Sequence, residues 1–502
     1  MLVISNLKYK QNSCLFLNCS IHILDSESYS VGKFLCLVLI ATSTSIFADG
    51  NESAIENTNA KYIAANNYIQ NPYATLVSAG GTKPFNESQM VNQDFAERLF
   101  ADGTWNVQIG ASAQYTGAGA GYPNYAYGAN LFGQTGSVAG FSIGGLFTAM
   151  NPFFVSQMNG YNTNASPFLP SNEQVTLSEA YLEYQHNNVV QIDVGYIGIN
   201  NSPWLSNNYY TNVMSPGTTY QGVLVNVYPG GGWLLTGLTF NGAQIVSETG
   251  FTPLTFYNKG YNYFGGSVAN SNPLVTSSGT AALGADYTGW NNKYNLRLWG
   301  YQFNNYGTLL YADSSIKFQL SKALSFNLAA QSGTDNQLGN SSNALTNANL
   351  GQISSNFIGV QGVINYDWFS LNLGYNNVWG SSSAYGSGSI VTPYTYGFAT
   401  DPLYTTPYMS GLADLGTAGT AYKISPTLTF INGNLSLAPA YTVFNTALAE
   451  WNGTQEYDFV ASYNVPQVKG LTLFGVYAYQ QVPDVNSNGS TYITQVYVSY
   501  LY

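Results

Sequence analysis

From residue 104 to the end of the chain, apolar and polar residues alternate along short runs, separated by stretches rich in Gly, Pro, Asn and Ser. In the last run, 491–502, Tyr492, Val496 and Tyr502 share one face, whereas polar residues such as Gln495 fall on the other. Successive side chains of a β-strand point to opposite faces, so this period of two predicts strands. The alternation therefore predicts an all-β chain.

Eighteen such runs can be counted along the chain. An even count is usual for single-chain membrane barrels, and about 16 to 18 strands enclose an aqueous lumen. The predicted strands span 104–115, 122–133, 137–150, 174–185, 189–199, 219–228, 233–244, 279–289, 294–303, 308–320, 324–333, 356–366, 369–379, 412–424, 434–445, 456–465, 471–480 and 491–502.

The connections between these runs alternate in length. Short turns are predicted at 186–188, 230–232, 321–323 and 467–470, and long connections at 151–173, 200–218, 245–278, 334–355 and 380–411. Outer-membrane barrels have short periplasmic turns and longer extracellular loops. The long connections are therefore predicted to be extracellular.

The composition indicates that lipid surrounds these strands. Only 7% of the residues are charged, whereas 15% are aromatic, and a soluble domain is roughly 25% charged. After the N-terminal region, no apolar run approaches the roughly 20 residues of a membrane helix. In lipid, only helices and closed barrels satisfy every backbone amide. We therefore predict a transmembrane antiparallel β-barrel that closes by pairing its last strand with its first.

The N-terminal region has a different character. Lys33 precedes a short apolar stretch, and the small residue Ala48 follows it, which is typical of a secretory signal. Residues 1–48 are therefore predicted to be a leader. Residues 49–103 carry more charge than the rest, which indicates a periplasmic extension with a short helix near 54–68.

Alternation also assigns the faces of each strand. In the run 189–199, Val190 and Ile192 share one face, and Gln191 and Asp193 share the other. A charge on the lipid face costs about 2 to 4 kcal/mol at the midplane, so charged residues are predicted to point inward. Alternatively, these charges only solvate the wall or pair with one another. The predicted pore-lining residues are Glu179, Glu183, Gln191, Asp193, Arg297, Asp313, Lys317, Glu456 and Asp458. Because acids outnumber bases among them, we expect a weak preference for cations.

The connection 200–218 is the candidate constriction. Its aromatic planes and side-chain amides are groups that an uncharged polar solute such as a sugar could contact. Alternatively, it is an ordinary extracellular loop. The predicted constriction residues are Asn200, Asn201, Trp204, Asn208, Tyr209, Tyr210 and Asn212.

Catalytic and metal sites are poorly supported. His186 is the only histidine after the leader, and it falls in a predicted turn. The three cysteines, Cys14, Cys19 and Cys36, all lie in the leader, so a thiolate metal site is not expected. A pI near 4.5 argues against nucleic acid. We expect neither enzyme activity nor a cofactor.

Two segments resemble the outer-membrane porin D (OprD) family. Residues 178–204 followed by 219–227 are similar to that family's strand–turn–strand, loop and strand unit, and residues 456–479 are similar to its penultimate hairpin. The resemblance implies an 18-stranded monomeric channel for small nutrients, narrowed by inward-folded loops. The family's ladder of pore arginines is missing, because Arg297 is the single arginine of the barrel region. Specificity for carboxylates or basic amino acids is therefore not expected.

These observations predict a porin-like channel of the bacterial outer membrane for passive diffusion of small polar solutes. The alternative is a non-transporting barrel that acts as an adhesin or surface-structural protein. The expected partners are outer-membrane lipid, small polar solutes and the barrel-assembly machinery, which would recognise the strand ending at Tyr502. The oligomeric state is expected to be a monomer or a homotrimer.

Overall fold

A computed structural model describes most of the predicted barrel. The described residues are 99–100, 102–117, 124–152, 169, 173–199, 201–205, 218–244, 249–253, 278–338, 351–394, 402–483 and 490–502. The predicted leader, the predicted helix near 54–68 and nearly all of the predicted extension lie outside them. No helix in the described ranges is long and apolar enough to cross a membrane.

Eighteen β-strands form one antiparallel sheet, which confirms the predicted number. They are β1 (Thr104–Gly117), β2 (Asn124–Gln134), β3 (Phe141–Pro152), β4 (Gln174–His186), β5 (Val190–Gly198), β6 (Thr219–Gly230), β7 (Trp233–Gln244), β8 (Thr280–Gly289), β9 (Tyr294–Phe303), β10 (Gly307–Gln319), β11 (Leu324–Gln337), β12 (Ser354–Tyr366), β13 (Phe369–Gly380), β14 (Gly419–Phe430), β15 (Leu435–Thr446), β16 (Gln455–Asn464), β17 (Leu471–Gln481) and β18 (Thr491–Leu501). A 3-10 turn, Tyr385–Ser387, lies between β13 and β14.

The sheet closes on itself. Each strand pairs with its neighbours in the sequence, and β1 pairs with both β2 and β18. The last residue takes part, because Val107 and Tyr502 exchange backbone hydrogen bonds of 3.2 and 2.8 Å. Closure leaves no free edge, so the backbone groups of the strands can pair even in lipid. The predicted closed barrel is confirmed.

Side chains alternate between a buried inner wall and an exposed outer face. On β16, Glu456 and Asp458 are buried, whereas Tyr457 and Phe459 are 43% and 46% exposed. Apolar residues such as Leu283 dominate the exposed positions. An apolar exterior around a polar interior is the arrangement of outer-membrane barrels.

The two ends of the barrel differ as predicted. Short turns such as 187–189 and 231–232 join strands at one end, here called the short-turn end. Asn187 and Asn188 adopt positive φ values of 49° and 55°, which asparagine tolerates better than most residues. The long connections all emerge at the opposite end, here called the long-loop end.

One predicted strand is wrong in position. The run 412–424 was expected to be a strand, but β14 is Gly419–Phe430. Leu412 and Leu415 are buried in the apolar cluster inside the barrel, and they do not belong to the wall. The apolar residues that suggested a strand therefore belong to a segment that packs against the inner wall.

The ladder between β14 and β15 is interrupted. Pairing runs from Gly419↔Thr446 to Ile424↔Tyr441 and resumes at Leu428↔Leu437, a register that sets Pro426 opposite Pro439. Proline has no N–H to donate, so opposed prolines remove ladder hydrogen bonds from both strands. The Ser425 hydroxyl donates to the Pro439 carbonyl at 3.3 Å and replaces part of this loss.

Candidate functional site

The inner wall carries the charged residues of the barrel. Eight acids on it are at most 8% exposed: Glu179, Glu183, Asp193, Asp286, Asp313, Asp335, Glu456 and Asp458. Two of the bases, Arg297 and Lys423, are also largely buried. Sequence reasoning missed Asp286, Asp335 and Lys423, although their positions alternate with outward-facing neighbours like those of the predicted residues.

Arg297 is neutralised by its neighbours. The barrel register sets it beside Asp286 on β8 and beside Asp313 on β10. The guanidinium forms an ion pair with Asp313, with Nε to carboxylate distances of 3.0 and 2.9 Å. Asp286 in turn accepts a hydrogen bond from the Trp299 indole at 3.1 Å. The single arginine of the wall is thus held between two carboxylates.

A second group of acids lies on β4 and β5 without such a base. We call Glu179, Glu183 and Asp193 the acidic patch. Glu183 accepts hydrogen bonds from Gln134, Ser142 and Gln191 at 3.0, 3.2 and 2.9 Å. The Gln191 amide also donates to Asp193 at 3.0 Å, so Gln191 links the two acids.

Glu179 differs from the other two acids of the patch. It is fully buried, and among the described residues neither carboxylate oxygen has a hydrogen-bond partner. A register shift between β3 and β4 turns both Ser178 and Glu179 inward, which a regular strand could not do. Bulges of this kind re-aim side chains and recur beside functional sites.

Lys317 is separate from these clusters. It shares the inner face of β10 with Asp313, but it is exposed and lies two residues before the strand ends at Gln319. It therefore belongs to the short-turn end of the barrel.

The predicted constriction loop is described in part. Of its predicted residues, Asn201 and Trp204 are described, whereas Asn200, Asn208, Tyr209, Tyr210 and Asn212 lie outside the described residues. Trp204 is fully buried. Its ring meets Tyr311 of β10 and Phe357 of β12 edge-on, at centroid distances of 6.2 and 5.8 Å. The loop leaves from β5 and returns to β6, so these contacts place Trp204 inside the ring of strands.

Polar contacts hold the same segment. Ser202 Oγ lies 2.9 Å from the Tyr301 hydroxyl of β9. The Asn201 amide donates to Thr236 of β7 at 2.9 Å and to Asn226 of β6 at 3.3 Å. Segment 201–205 therefore rests against the inner wall.

The connection between β13 and β14 also folds inward, which sequence reasoning did not predict. We call residues 402–410 the strap. The backbone N–H of Tyr408 donates to Asp458 at 3.0 Å, and the Met409 N–H and the Ser410 hydroxyl donate to the Glu456 carboxylate. The strap thus uses two of the predicted pore-lining acids as hydrogen-bond acceptors.

Further contacts fix the strap on other strands. Thr405 donates through its N–H and its hydroxyl to Asn376 of β13 at 3.0 and 3.1 Å. Lys423 of β14 donates to the Thr406 carbonyl at 2.6 Å. The Tyr408 hydroxyl donates to Gln495 of β18 at 2.8 Å. Burial raises the pKa of the Tyr408 phenol, and the charge of Asp458 raises it further, so the hydroxyl keeps its proton.

The first part of the same connection reaches the opposite wall. Tyr394 packs edge-on against Tyr220 of β6 and Phe240 of β7, at centroid distances of 6.0 and 5.1 Å. The Val391 N–H donates to Asp335 of β11 at 2.8 Å. A sequence signal for this inward position exists, because 390–415 is rich in Tyr and Leu and poor in charge, which is unusual for a solvated loop.

Solved structures of similar fold include several porins, whereas no family model and no curated protein matches the sequence. OccAB3 of Acinetobacter baumannii is 17% identical with a TM-score of 0.63, covering 80% of this chain and 100% of its own. OpdK of Pseudomonas aeruginosa, solved with vanillate, is 14% identical with a TM-score of 0.62, covering 80% and 99%. OccK2 (OpdF) of the same species, solved with glucuronate, is 12% identical with a TM-score of 0.60, covering 80% and 97%.

These similarities cover the barrel and show its architecture. The resemblance to the OprD family that the sequence indicated is confirmed at the level of the fold. The chain therefore has the fold of the outer-membrane porins.

Proposed function

We propose that this protein is a channel of the bacterial outer membrane through which small polar solutes diffuse passively. The observation that carries the proposal is the closed 18-stranded barrel with an apolar exterior and a polar inner wall. A barrel of this size encloses more space than its own wall side chains fill. An enzyme activity is not part of the proposal.

We propose further that segment 201–205 and the strap narrow the solute path from two sides. Trp204 approaches β10 and β12, and the strap lies on β13, β14, β16 and β18. The long-loop end would face the exterior and the short-turn end the periplasm, as in other outer-membrane barrels. The leader (1–48) would be removed, and 49–103 would form a periplasmic extension.

The distribution of charge supports a weak preference for cations. Arg297 is paired with Asp313 and lies beside Asp286, so it does not offer a free positive charge. The acidic patch has hydrogen-bond donors but no ion pair in the described part of the chain. Vanillate and glucuronate, found in OpdK and OccK2, are both carboxylates, and this wall is poorly suited to them.

Planar-bilayer recording with the purified protein tests the proposal. We expect stepwise single-channel openings and a reversal potential under a salt gradient that indicates cation preference. The triple variant Glu179→Gln, Glu183→Gln and Asp193→Asn should shift the reversal potential towards zero. Lys317→Gln, which removes a positive charge at the barrel end, should shift it slightly in the opposite direction. Clear anion preference would contradict the charge assignment.

The alternative is a non-transporting barrel that serves as an adhesin or surface-structural protein. One observation favours it: inner-wall residues such as Thr148, Gln361 and Gln480 are almost completely buried, so the interior is well filled. Absence of any opening from folded, inserted protein would support this alternative. Under either function, the barrel-assembly machinery would recognise the strand that ends at Tyr502. A monomeric or a homotrimeric state would likewise suit either function.

A further inference from the structure

The strap raises a hydrogen-bonding problem of its own. Between residues 402 and 410 the chain forms neither strand nor helix, so its backbone N–H groups lack the partners that regular structure supplies. Leu403, Thr406 and Met409 are at most 1% exposed, so water cannot serve this part of the segment. A buried N–H without an acceptor costs free energy comparable to a lost hydrogen bond. The Thr406 N–H donates to the Leu403 carbonyl inside the strap at 3.2 Å. Thr405, Tyr408 and Met409 find their acceptors on the wall.

The wall supplies them as carboxylates. Glu456 and Asp458 point inward from β16 and accept from Met409, Ser410 and Tyr408. On the other side of the same connection, Asp335 of β11 accepts from the Val391 N–H at 2.8 Å. A carboxyl group offers acceptor oxygens that backbone N–H and hydroxyl groups can use where water is excluded. Three acids that alternation alone would assign to solute contact are thus engaged by the protein's own backbone.

We propose that Glu456, Asp458 and Asp335 are positioning residues that hold the β13–β14 connection inside the barrel. They fix the width of the path by keeping the strap against the wall, and the strap covers their charge. The acids of the acidic patch form no hydrogen bond with the strap in the described part of the chain, so their role is separate from that of the strap-binding acids. Removal of the strap-binding acids changes the accessibility of the strap, whereas removal of patch acids changes ion preference.

The position of the strap can be measured without any transport assay. Met409 is 1% exposed, and it binds Glu456 through its backbone N–H. A Met409→Cys reporter, in a chain whose Cys14, Cys19 and Cys36 are replaced by Ser, is inserted in lipid vesicles and treated with a charged maleimide. The labelling rate reports how often the strap leaves the wall.

Glu456→Gln should accelerate this labelling at least about tenfold. Met409 and Ser410 donate to different oxygens of Glu456, and in glutamine one of these oxygens becomes an NH2 group that cannot accept, so one donor loses its partner. Combination with Asp458→Asn and Asp335→Asn should accelerate it further. The matched control is Glu179→Gln, which removes an equally buried wall acid that does not contact the strap and should leave the labelling rate unchanged. Heat-dependent mobility in detergent gels confirms that each variant is a folded barrel.

Labelling at the parental rate in folded Glu456→Gln and in the combined variant would overturn the inference. So would equal acceleration by Glu179→Gln, since that would show a general loosening of the wall. Conductance recorded from the same proteins tests the proposed channel function separately, because the labelling assay does not depend on transport. Faster labelling without channel openings in any variant, including the parent, would reject the channel and leave the strap contacts supported.

Discussion

At the scale of single residues, alternation determines which way a side chain points but not what it meets. Glu183, Arg297 and Glu456 lie on the buried side of their strands, which is the side that a period of two gives them. The partners depend on neighbouring strands and on connections distant in sequence. Arg297 is held by β8 and β10, and Glu456 by the strap, so neither environment could be derived from the local sequence.

The two glutamates of the acidic patch provide a contrast that can be measured. Glu179 lacks any hydrogen-bond partner, whereas Glu183 accepts from three side chains. Glu179→Met should therefore raise the free energy of unfolding by about 1 to 3 kcal/mol, because it removes an unpartnered buried carboxyl. Glu183→Met should lower it, because it leaves three donors unpaired. Urea unfolding in lipid vesicles measures the change in the free energy of unfolding for each variant. Equal changes for the two variants would contradict the expected difference between Glu179 and Glu183.

At the scale of elements, the sequence predicts strands well and inward-folded connections poorly. The strand number and most strand positions follow from alternation and turn residues. The error at 412–424 has a physical origin: Leu412 and Leu415 face other apolar residues inside the barrel, and such residues look the same in sequence as those that face lipid. The strap was missed for a different reason: its composition is unusual for a solvated loop, but composition alone does not show which strands a connection will contact.

The interrupted ladder between β14 and β15 leads to a prediction at this scale. Replacing both Pro426 and Pro439 by Val provides two N–H donors at opposed positions, so ladder hydrogen bonds can form there. Each typically contributes about 0.5 to 1.5 kcal/mol, and Val suits a strand. Hydrogen exchange should show slower exchange at 425–427 and 438–440 than in the parent. The Pro152→Val variant, at the end of β3, is the control and should change neither region. Unchanged exchange in the double variant would mean that the strands are held apart by something other than proline.

At the scale of the whole molecule, the main structural feature is the closure of the sheet into a barrel. The predicted pairing of the last strand with the first is confirmed over ten residue pairs, from Gln108↔Leu501 to Gly117↔Tyr492. This could be predicted because lipid offers no alternative partner to a free strand edge. How far the interior is filled could not be predicted, since it depends on where the long connections fold.

Two C-terminal truncations of different length test whether β18 is needed to close the barrel. Deleting Tyr502 removes only its two hydrogen bonds with Val107, so heat-modifiable mobility in detergent gels should persist. Deleting 491–502 leaves both β1 and β17 with an unpaired edge, and the folded band should disappear. A folded band of unchanged mobility after the larger deletion would show that β18 is not needed to close the ring.

The strap precedes in the chain three of the strands that hold it, β14, β16 and β18, whereas β13 comes before it. Ser410 comes 46 residues before Glu456, and Tyr408 comes 87 residues before Gln495. These contacts cannot form until β16 and β18 have been synthesised and have joined the ring. The hydrogen bonds of the strap with β16 and β18 therefore form late in biogenesis, after the final strands have joined the ring.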